Sequence, residues 1–539
     1  PDGEIQLFSP RLDQIHIGKL PIMVKSNICV LSQYSHVGVD QTEECAFDPG
    51  GYFIVKGSEK IVLGQKRMAE NNIMCGLVSN SNLKNYNKYK WVAEIRCIPP
   101  NKCISPKQVN LYYSRNATEF GNAIYVALPK IKVVIPLFIV FRAFGIISDR
   151  DICALIMGNI DIDDDPVMLD SLAASATEAN EHMTQDTCVQ YIANYAMFTT
   201  THIDKTTSDK TVGARMKREF TRNVIHNDVF VHCTTLTQKQ HFLGYMVNRL
   251  LTCVHGRVPA DDRDSYKNTR IDTTGVLLNT LFRTHYNKVV KDLETQLVRE
   301  ISYGSWKSTN DYKNIVSMTN IYKLVKPATI ENNIIRALST GDFGVKYNNT
   351  SKVGVAQVLN RLAYVSSISH ARRISTPNKN GKLTEPRKLH GTSWGLMCPA
   401  ETPEGASVGI VQNMSYLAHI TVQSGSDFIY NYLMSVTDPL AEYEGLSATE
   451  WVDRKHDSDL VKVFFNGCWL GSSSSPRELY LDLKDKKYKG IITVYTSIVF
   501  KYSRKEIWVN NQPGRLMRPL LKVVDNNILV SSGIVARLR

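Results

Sequence analysis

Eleven cysteines occur in the chain, yet no two form a Cys-x-x-Cys pair, and the closest are Cys97 and Cys103. A zinc ribbon needs thiols at that tighter spacing and a disulfide framework needs an even set. The count therefore argues for buried, reduced thiols and an intracellular chain. Long apolar runs are also missing. The longest, Val133 to Phe141, has nine residues and includes Pro136, against the roughly 20 that a membrane-spanning helix requires. There is no P-loop, no His-Glu-x-x-His and no defensible Ser/His/Asp order, which removes three common catalytic patterns. No internal repeat of solenoid length is visible. The chain has no signal peptide and opens at Pro1 without a Met, so it reads as a fragment already inside a domain at its first residue.

What is present is length, apolar content and basic charge. At 539 residues the chain should hold several domains with substantial cores. An apolar share of 43% with 25 Tyr and 17 Phe describes a globular protein, not a disordered one. Sixty-four Lys and Arg against 51 Asp and Glu leave a net charge of +13. From Ser351 to His390, four Lys and four Arg face Glu385 alone, so about 40 residues hold more than half of that excess. Such concentration is the footprint of a surface facing phosphates. The plainer alternative is an ordinary solvated face.

Two blocks dominate this stretch. The first runs from Gly354-Val-Ala-Gln-Val-Leu-Asn-Arg361 to Ser369-His-Ala-Arg-Arg-Ile-Ser-Thr-Pro377. Val355, Val358, Leu359, Leu362 and Val365 recur at helical spacing, which predicts a helix with Gln357, Asn360 and Arg361 on its polar face. Pro377-Asn-Lys-Asn-Gly-Lys382 is punctuated like an exposed loop tip. Arg372 and Arg373 enter that loop; Lys379 and Lys382 lie on it, and Arg387 and Lys388 leave it. Guanidiniums grip phosphate through paired hydrogen bonds, whereas lysines act as point charges. The second block, Trp394-Gly-Leu-Met-Cys-Pro-Ala-Glu-Thr-Pro-Glu-Gly405, predicts an ordered, irregular loop carrying Glu401 and Glu404.

These blocks resemble the fork region of the second-largest, β-type subunit of multisubunit DNA-dependent RNA polymerases of the eukaryotic and archaeal kind. The likeness extends along the chain in that family's order. It includes Leu20-Pro-Ile-Met-Val-Lys-Ser-Asn27, Gly50-Gly-Tyr-Phe-Ile-Val-Lys-Gly-Ser-Glu-Lys60, Phe242-Leu-Gly-Tyr-Met-Val-Asn-Arg249, Asp261-Asp-Arg-Asp-Ser-Tyr-Lys-Asn-Thr-Arg270 and Gly514-Arg-Leu-Met-Arg-Pro-Leu520. It departs from cellular relatives between Asp161 and Asp228 and after Gly405, where the wording is Ala-Ser-Val-Gly-Ile-Val-Gln-Asn-Met. Such drift points to a large DNA virus or a divergent eukaryote.

The resemblance implies an α+β multidomain chain. It places a protrusion over residues 1–134, a lobe over 135–275 and helices returning to the protrusion over 276–342. A fork follows over 343–420, then a first external domain over 421–500 and a truncated second one over 501–539. Residue patterns agree in outline: short strands to about Val134, helices such as Phe138 to Phe144 and Phe242 to Val254, then amphipathic helices and, beyond Thr421, alternating strands. Ser472 to Ser475 reads as a flexible turn.

By the same resemblance, Gln357, Arg361, Arg372, Arg373, Lys379, Lys382, Arg387, Lys388, Lys267 and Arg270 stand near DNA or the RNA–DNA hybrid. Lys56, Lys60, Lys66 and Arg67 either line the cleft above it or form a solvated face. Glu401 and Glu404 are positional, anchoring the fork loop to basic neighbours near the active site. Nucleotidyl transfer there uses Mg²⁺ held by aspartates of the largest subunit, so no catalytic residue or metal ligand is expected in this chain. The family's zinc site lies further along than Arg539. Expected partners are the largest and smaller polymerase subunits, template DNA and the hybrid, with no membrane. The compartment is the nucleus for a cellular chain, or a virus factory or virion for a viral one.

Other candidates stay in view. Asp161-Ile-Asp-Asp-Asp165 could hold Mg²⁺, but a helix cap before Pro166 fits better. His226, His232, Cys233 and His241 match no tetrahedral spacing. Asp261, Asp262 and Asp264 with Arg263 form a mixed cluster suited to a salt-bridged joint. A free-standing nucleic-acid binder, or a hydrolase using Glu401 and Glu404, would be the rival function.

Overall fold

The computed structural model describes residues 14–33, 44–78, 88–99, 106–157, 165–198, 210–304, 306, 320, 324–344, 353–376, 384–440, 460–520 and 523–528. The chain divides into two compact units. The first comprises Pro1–Arg67, Thr269–Ile420 and Gly514–Arg539; the second comprises Met68–Asn268 and Thr421–Pro513. Among the described residues no helix is long and apolar enough to cross a membrane.

The second unit is built on two five-stranded sheets. One is an antiparallel meander of Met74–Leu77, Tyr89–Cys97, Lys107–Ser114, Ile124–Ala127 and Ile135–Pro136, in that order. The other has the order Asp438–Pro439, Cys468–Ser473, Val461–Phe465, Glu506–Asn510, Ser497–Lys501, with the parallel pair Val461–Phe465 and Glu506–Asn510 inside it. Parallel pairing buries both faces, and here Val463, Phe464, Ile507 and Val509 are all buried. Phe464 stacks on Trp508 with ring centroids 4.6 Å apart.

The helix Leu236–Val254 joins this core. Its start follows from a capping box, in which the Thr235 hydroxyl accepts from the Gln238 N–H at 3.2 Å and the Gln238 side chain accepts in return from the Thr235 N–H. Gly244 explains part of the Phe242–Arg249 motif. A Cβ there would lie 2.6 Å from the carbonyl oxygen of Leu155, so only glycine lets the helix pack this closely on Asp149–Met157. At the next residue, the Tyr245 hydroxyl donates to Glu506 at 2.6 Å, and the Trp508 indole donates to the other oxygen of that buried carboxylate.

The decoys resolve in this unit. Asp165 caps Pro166–Thr177 by accepting from the Met168 N–H, and it forms an ion pair with Arg257; Asp161, Asp163 and Asp164 lie outside the described residues. Within the acidic cluster, Asp261 pairs with Arg249, and Arg263 with Glu94, both at 2.8 Å. Ser472 and Ser473 are not a flexible turn, because both are buried in Cys468–Ser473, while Ser475 precedes the helix Pro476–Tyr488. Pairing with Val461 and Lys462 overrides the local serine preference.

No three His, Cys, Asp or Glu side chains among the described residues are grouped to hold a metal. His226 instead gives its carbonyl to the Lys239 ammonium. His232 is buried, and burial, aided by Lys239, pushes its imidazole down to about 3. Its unfolded counterpart binds a proton near pH 6.5. The folded state therefore loses stability as pH falls below about 6.5, by about 1.4 kcal/mol per pH unit until the folded imidazole itself protonates. His232→Phe is expected to flatten this acid limb, recovering about 2 kcal/mol at pH 5 relative to native chain. Melting curves from pH 7.5 to 5 check this, and parallel pH profiles for the two chains would refute it.

In the first unit, Phe53–Val55, Ser58–Val62 and Ala356–Val358 make a three-stranded sheet. Val411–Asn413, Arg373–Ser375, Gly64–Met68 and Thr269–Asp272 make a four-stranded one. The long helix Thr274–Ser302 and the helix Ala328–Thr340 pack Leu277, Leu281, Ile330, Ile334 and Leu338 against Phe53, Val55 and Val62. The helix expected across Val355 to Val365 is corrected. Ala356–Val358 is a strand, and the helix starts only at Tyr364 and ends at Ala371. A short apolar run fits either period, and the open edge of Ser58–Val62 decides in favour of a strand.

Candidate nucleic-acid interface

The interface candidates are built outward from His370, which is 4% exposed. Its Nδ1 accepts from the Asn360 backbone N–H at 3.2 Å, so the proton resides on Nε2, which donates to Gln357 Oε1 at 3.1 Å. Burial, with help from Arg373, holds this imidazole below its usual range and hence neutral. One ring thus fixes the strand carrying Gln357, the Asn360 bend and the helix leading to Arg372. Gln357 is committed to this network and Arg361 to another. Arg361 forks onto Glu59 with two 2.8 Å bonds, reaches Asp48 at 3.2 Å and lies 4.9 Å from the Tyr52 ring. The Arg361 hydrogen bonds hold the Glu59 carboxyl below its ordinary value.

Arg372 and Arg373 have separate tasks. Arg372 turns back and gives Nη2 to the carbonyls of Ser415, Tyr416 and Ala418, at 2.6, 3.3 and 3.2 Å. Arg373 opens the strand Arg373–Ser375, paired with Val411–Asn413. Its Nε makes a long 3.4 Å bond to Asn413 Oδ1. Asn413, 2% exposed, uses its Nδ2 to hold the Glu401 carbonyl at 3.0 Å. The Glu401 carboxylate accepts from the Ser369 hydroxyl on the preceding helix. The arginine strand and the glutamate loop are therefore one braced surface.

The loop from Pro399 onward is ordered and irregular, as expected. Thr402 ties it across by donating to the Val411 carbonyl and accepting from the Gly409 N–H. Arg387 fastens it by giving Nη1 to the carbonyls of Ala406 and Val408, at 2.7 and 3.1 Å. Gly409, at φ +71°, is required here, because a Cβ would fall 2.2 Å from the Arg387 carbonyl oxygen. Lys388 pairs with Glu385 at 2.6 Å on the exposed face.

The expected anchor for the glutamates is partly different. Among the described residues neither Glu401 nor Glu404 joins an ion pair; Glu401 is held by a serine and Glu404 is exposed. Both carboxylates face solvent, so the desolvation a hydrolytic acid–base pair depends on is missing.

Arg270 belongs to the same four-stranded sheet, on Thr269–Asp272, and gives Nη1 to the Thr269 carbonyl. Lys267 is exposed in the second unit, on the short 3-10 turn Tyr266–Asn268. Lys379 and Lys382 lie outside the described residues. Lys60 reaches the Ser339 carbonyl and Arg67 pairs with Asp272, so these two are not simply solvated.

Sequence reasoning missed Ser369, His370 and Asn413 as the braces of this surface. Their signal was present, since all three stand inside or beside the quoted blocks, but partners about 10 to 40 residues apart in irregular segments have no periodicity to betray them.

The described part of this basic stretch is thus a hydrogen-bonded surface on an α+β chain. Comparison with known proteins makes this specific. Family models described as RNA polymerase Rpb2 domains 2, 3 and 4 match residues 106–272, 357–420 and 463–524. DNA-directed RNA polymerase II subunit 2 of Arabidopsis thaliana is 32% identical over 534 residues, covering 98% of this chain and 42% of the relative. The RPB2 subunit of Schizosaccharomyces pombe is 34% identical over 539 residues, covering 98% and 41%. DNA-directed RNA polymerase subunit 2 of Acanthamoeba polyphaga mimivirus is 31% identical over 543 residues, covering 96% and 42%. The chain belongs to the Rpb2 family, the second-largest subunits of multisubunit RNA polymerases. It spans about two fifths of the length of these relatives.

Proposed function

We propose that this chain is part of the second-largest subunit of a DNA-directed RNA polymerase and lines the cleft for template DNA and the RNA–DNA hybrid. The braced surface of Arg373, Asn413 and Glu401 is the observation that carries this reading. Backbone-directed cations hold a duplex in place without reading its sequence, which suits an enzyme that accepts any template. In this reading residues 343–420 are the fork, 135–275 the lobe, 1–134 and 276–342 the protrusion, and the remainder the external domains.

Each side chain then has a defined task. Arg361, Arg372 and Arg387 spend donors on protein acceptors and keep the fork loops in shape. Arg373 and Lys388, with Lys379, Lys382, Lys267 and Arg270, face nucleic acid. Glu401 and Glu404 position the loop beside the active site. In this reading the Mg²⁺ that would activate the 3′-oxygen is held by the largest subunit, and no chemical step is assigned to this chain. Partners are that subunit, the smaller subunits and nucleic acid. The compartment is the nucleus, or a virus factory or virion if the chain is viral.

The test uses the whole subunit in the assembled polymerase. Arg373→Ala with Lys388→Ala is expected to shorten elongation-complex lifetime to a similar degree on unrelated templates. The logarithmic salt slope should fall by about one for each phosphate that is no longer neutralised. An unaltered slope with normal elongation would remove both residues from the interface.

A further inference from the structure

One basic region of the chain lies outside the candidate nucleic-acid interface. Residues 476–505 carry eight Lys and Arg against three Asp and Glu, and all of them belong to the second unit. The region contains an open sheet edge. In the sheet built around Val461–Phe465 and Glu506–Asn510, the outermost strand Ser497–Lys501 has a neighbour on one side only.

The ladder fixes which backbone groups of that strand are free. The Lys462 N–H donates to the Lys505 carbonyl and the Asn466 N–H to the Val509 carbonyl. Lys505 and Val509, with Ile507 between them, therefore turn their backbone groups toward Val461–Phe465. Alternation turns Glu506, Trp508 and Asn510 the other way, where they pair with Lys501, Val499 and Ser497. Ile498 and Phe500 are left over. Their N–H and C=O groups point out of the sheet, and among the described residues no hydrogen bond reaches them.

The two faces beside this edge differ. On one, Ile498 shares a core with Leu479 and Leu483 of the helix Pro476–Tyr488. The Phe500 ring lies 6.1 Å from Tyr480 and 4.1 Å from the exposed Tyr502. On the other face stand the exposed Val499 and Lys501, whose ammonium lies 3.9 Å from the Trp508 ring.

We propose that this edge binds an extended acidic segment of a partner protein, which adds to the five-stranded sheet as a further strand. Every second side chain of the segment is apolar and meets Phe500 and Tyr502, while the carboxylates between them face Lys501. Alternating donors and acceptors at strand spacing match a peptide backbone. A nucleic-acid phosphate only accepts, and would leave the Ile498 and Phe500 carbonyls unmatched. The surrounding positive charge favours carboxylates, and it disfavours a second copy of this chain, whose own edge is equally basic. The site is independent of the polymerase reading, because none of its residues belongs to the fork.

The probe is an end-blocked peptide of alternating Val and Glu, titrated into the full 539-residue chain by calorimetry. It is expected to bind saturably with one site per chain, and its counterpart of alternating Val and Lys about tenfold more weakly or not at all. Two further peptides are N-methylated, one at Val and one at Glu. Only one of these sets faces the edge, so one peptide should lose about tenfold in affinity and the other stay within about twofold. Phe500→Pro removes an outward N–H without touching the ladder, whereas Phe500→Ala removes the ring alone. The Pro variant should bind about tenfold more weakly than the Ala variant. Melting shows whether the Pro variant is folded; if it is not, the methylated pair decides. Absence of saturable Val–Glu binding, or equal losses from the two methylation patterns, overturns the proposal. So does equal affinity in the Ala and folded Pro variants. Displacement of the peptide by a short oligothymidylate would assign the surface to nucleic acid instead. Sedimentation showing a dimer that Phe500→Pro abolishes would assign it to a second copy, and either result overturns the proposal too.

Discussion

Replacing Arg142 by Met is expected to destabilise the second unit by about 4 kcal/mol, the range for removing one partner of a buried charged network. The side chain sits in the helix Leu137–Ala143, every residue of which is buried, and Arg142 itself is 0% exposed. Its guanidinium donates to the carbonyls of Ala179 and His182, at 2.6 and 2.7 Å, and to the Asp149 carboxylate at 2.7 Å. Those acceptors belong to the segment after Pro166–Thr177 and to the first turn of Asp149–Met157, so one cation fastens three helical segments. Methionine fills most of the volume but leaves two carbonyls unpaired. The melting transition of the unit should fall by about 10 °C. Arg142→Lys, with a single charged nitrogen, should recover part of it. A shift below about 2 °C for the Met variant would show that water takes over those carbonyls at little cost.

Asn413→Leu is expected to cost the first unit about 3 kcal/mol, because it strips the bonds to both Arg373 and the Glu401 carbonyl from a site only 2% exposed. The leucine is near in volume, so the loss is of hydrogen bonding and not of packing. Hydrogen exchange should quicken across residues 398–413 and at the strand Arg373–Ser375, while Tyr89–Cys97 in the other unit stays protected. In an assembled polymerase the same change should mimic Arg373→Ala, since the guanidinium loses the atom that orients it. If exchange quickens evenly across both units, Asn413 supports the whole chain and not this surface.

The sequence carried the family and the main helices, because long ordered motifs and amphipathic spacing are local signals. Helices predicted near Phe138 and Phe242 are present at Leu137–Ala143 and Leu236–Val254. The error at Val355 arose because strand or helix was settled by Ser58–Val62, a neighbour nearly 300 residues away. The serines at 472 and 473 misled because pairing with Lys462 and Val461 across a hairpin overrides their local preference. At the candidate site, charge singled out a stretch but could not show how its arginines are used. Arg361, Arg372 and Arg387 look like phosphate ligands by type, yet each has donors committed to Glu59, to Ser415 or to Ala406. A guanidinium serves either purpose equally well, and only the fold reveals which acceptors reach it first.

The pairing of Gly64 with Ile374 has a consequence for synthesis on the ribosome. About 310 residues separate the two, and at typical elongation rates of 5–20 residues per second the earlier strand waits roughly 15–60 s for its parallel neighbour. The hairpin Phe53–Val55 and Ser58–Val62 waits almost as long for Ala356–Val358. Throughout that interval a nascent sheet edge is exposed to sticking, while the intervening segment already has a complete antiparallel meander. Production of this protein in a foreign host should therefore be limited by chaperone supply during translation more than by the stability of the finished molecule.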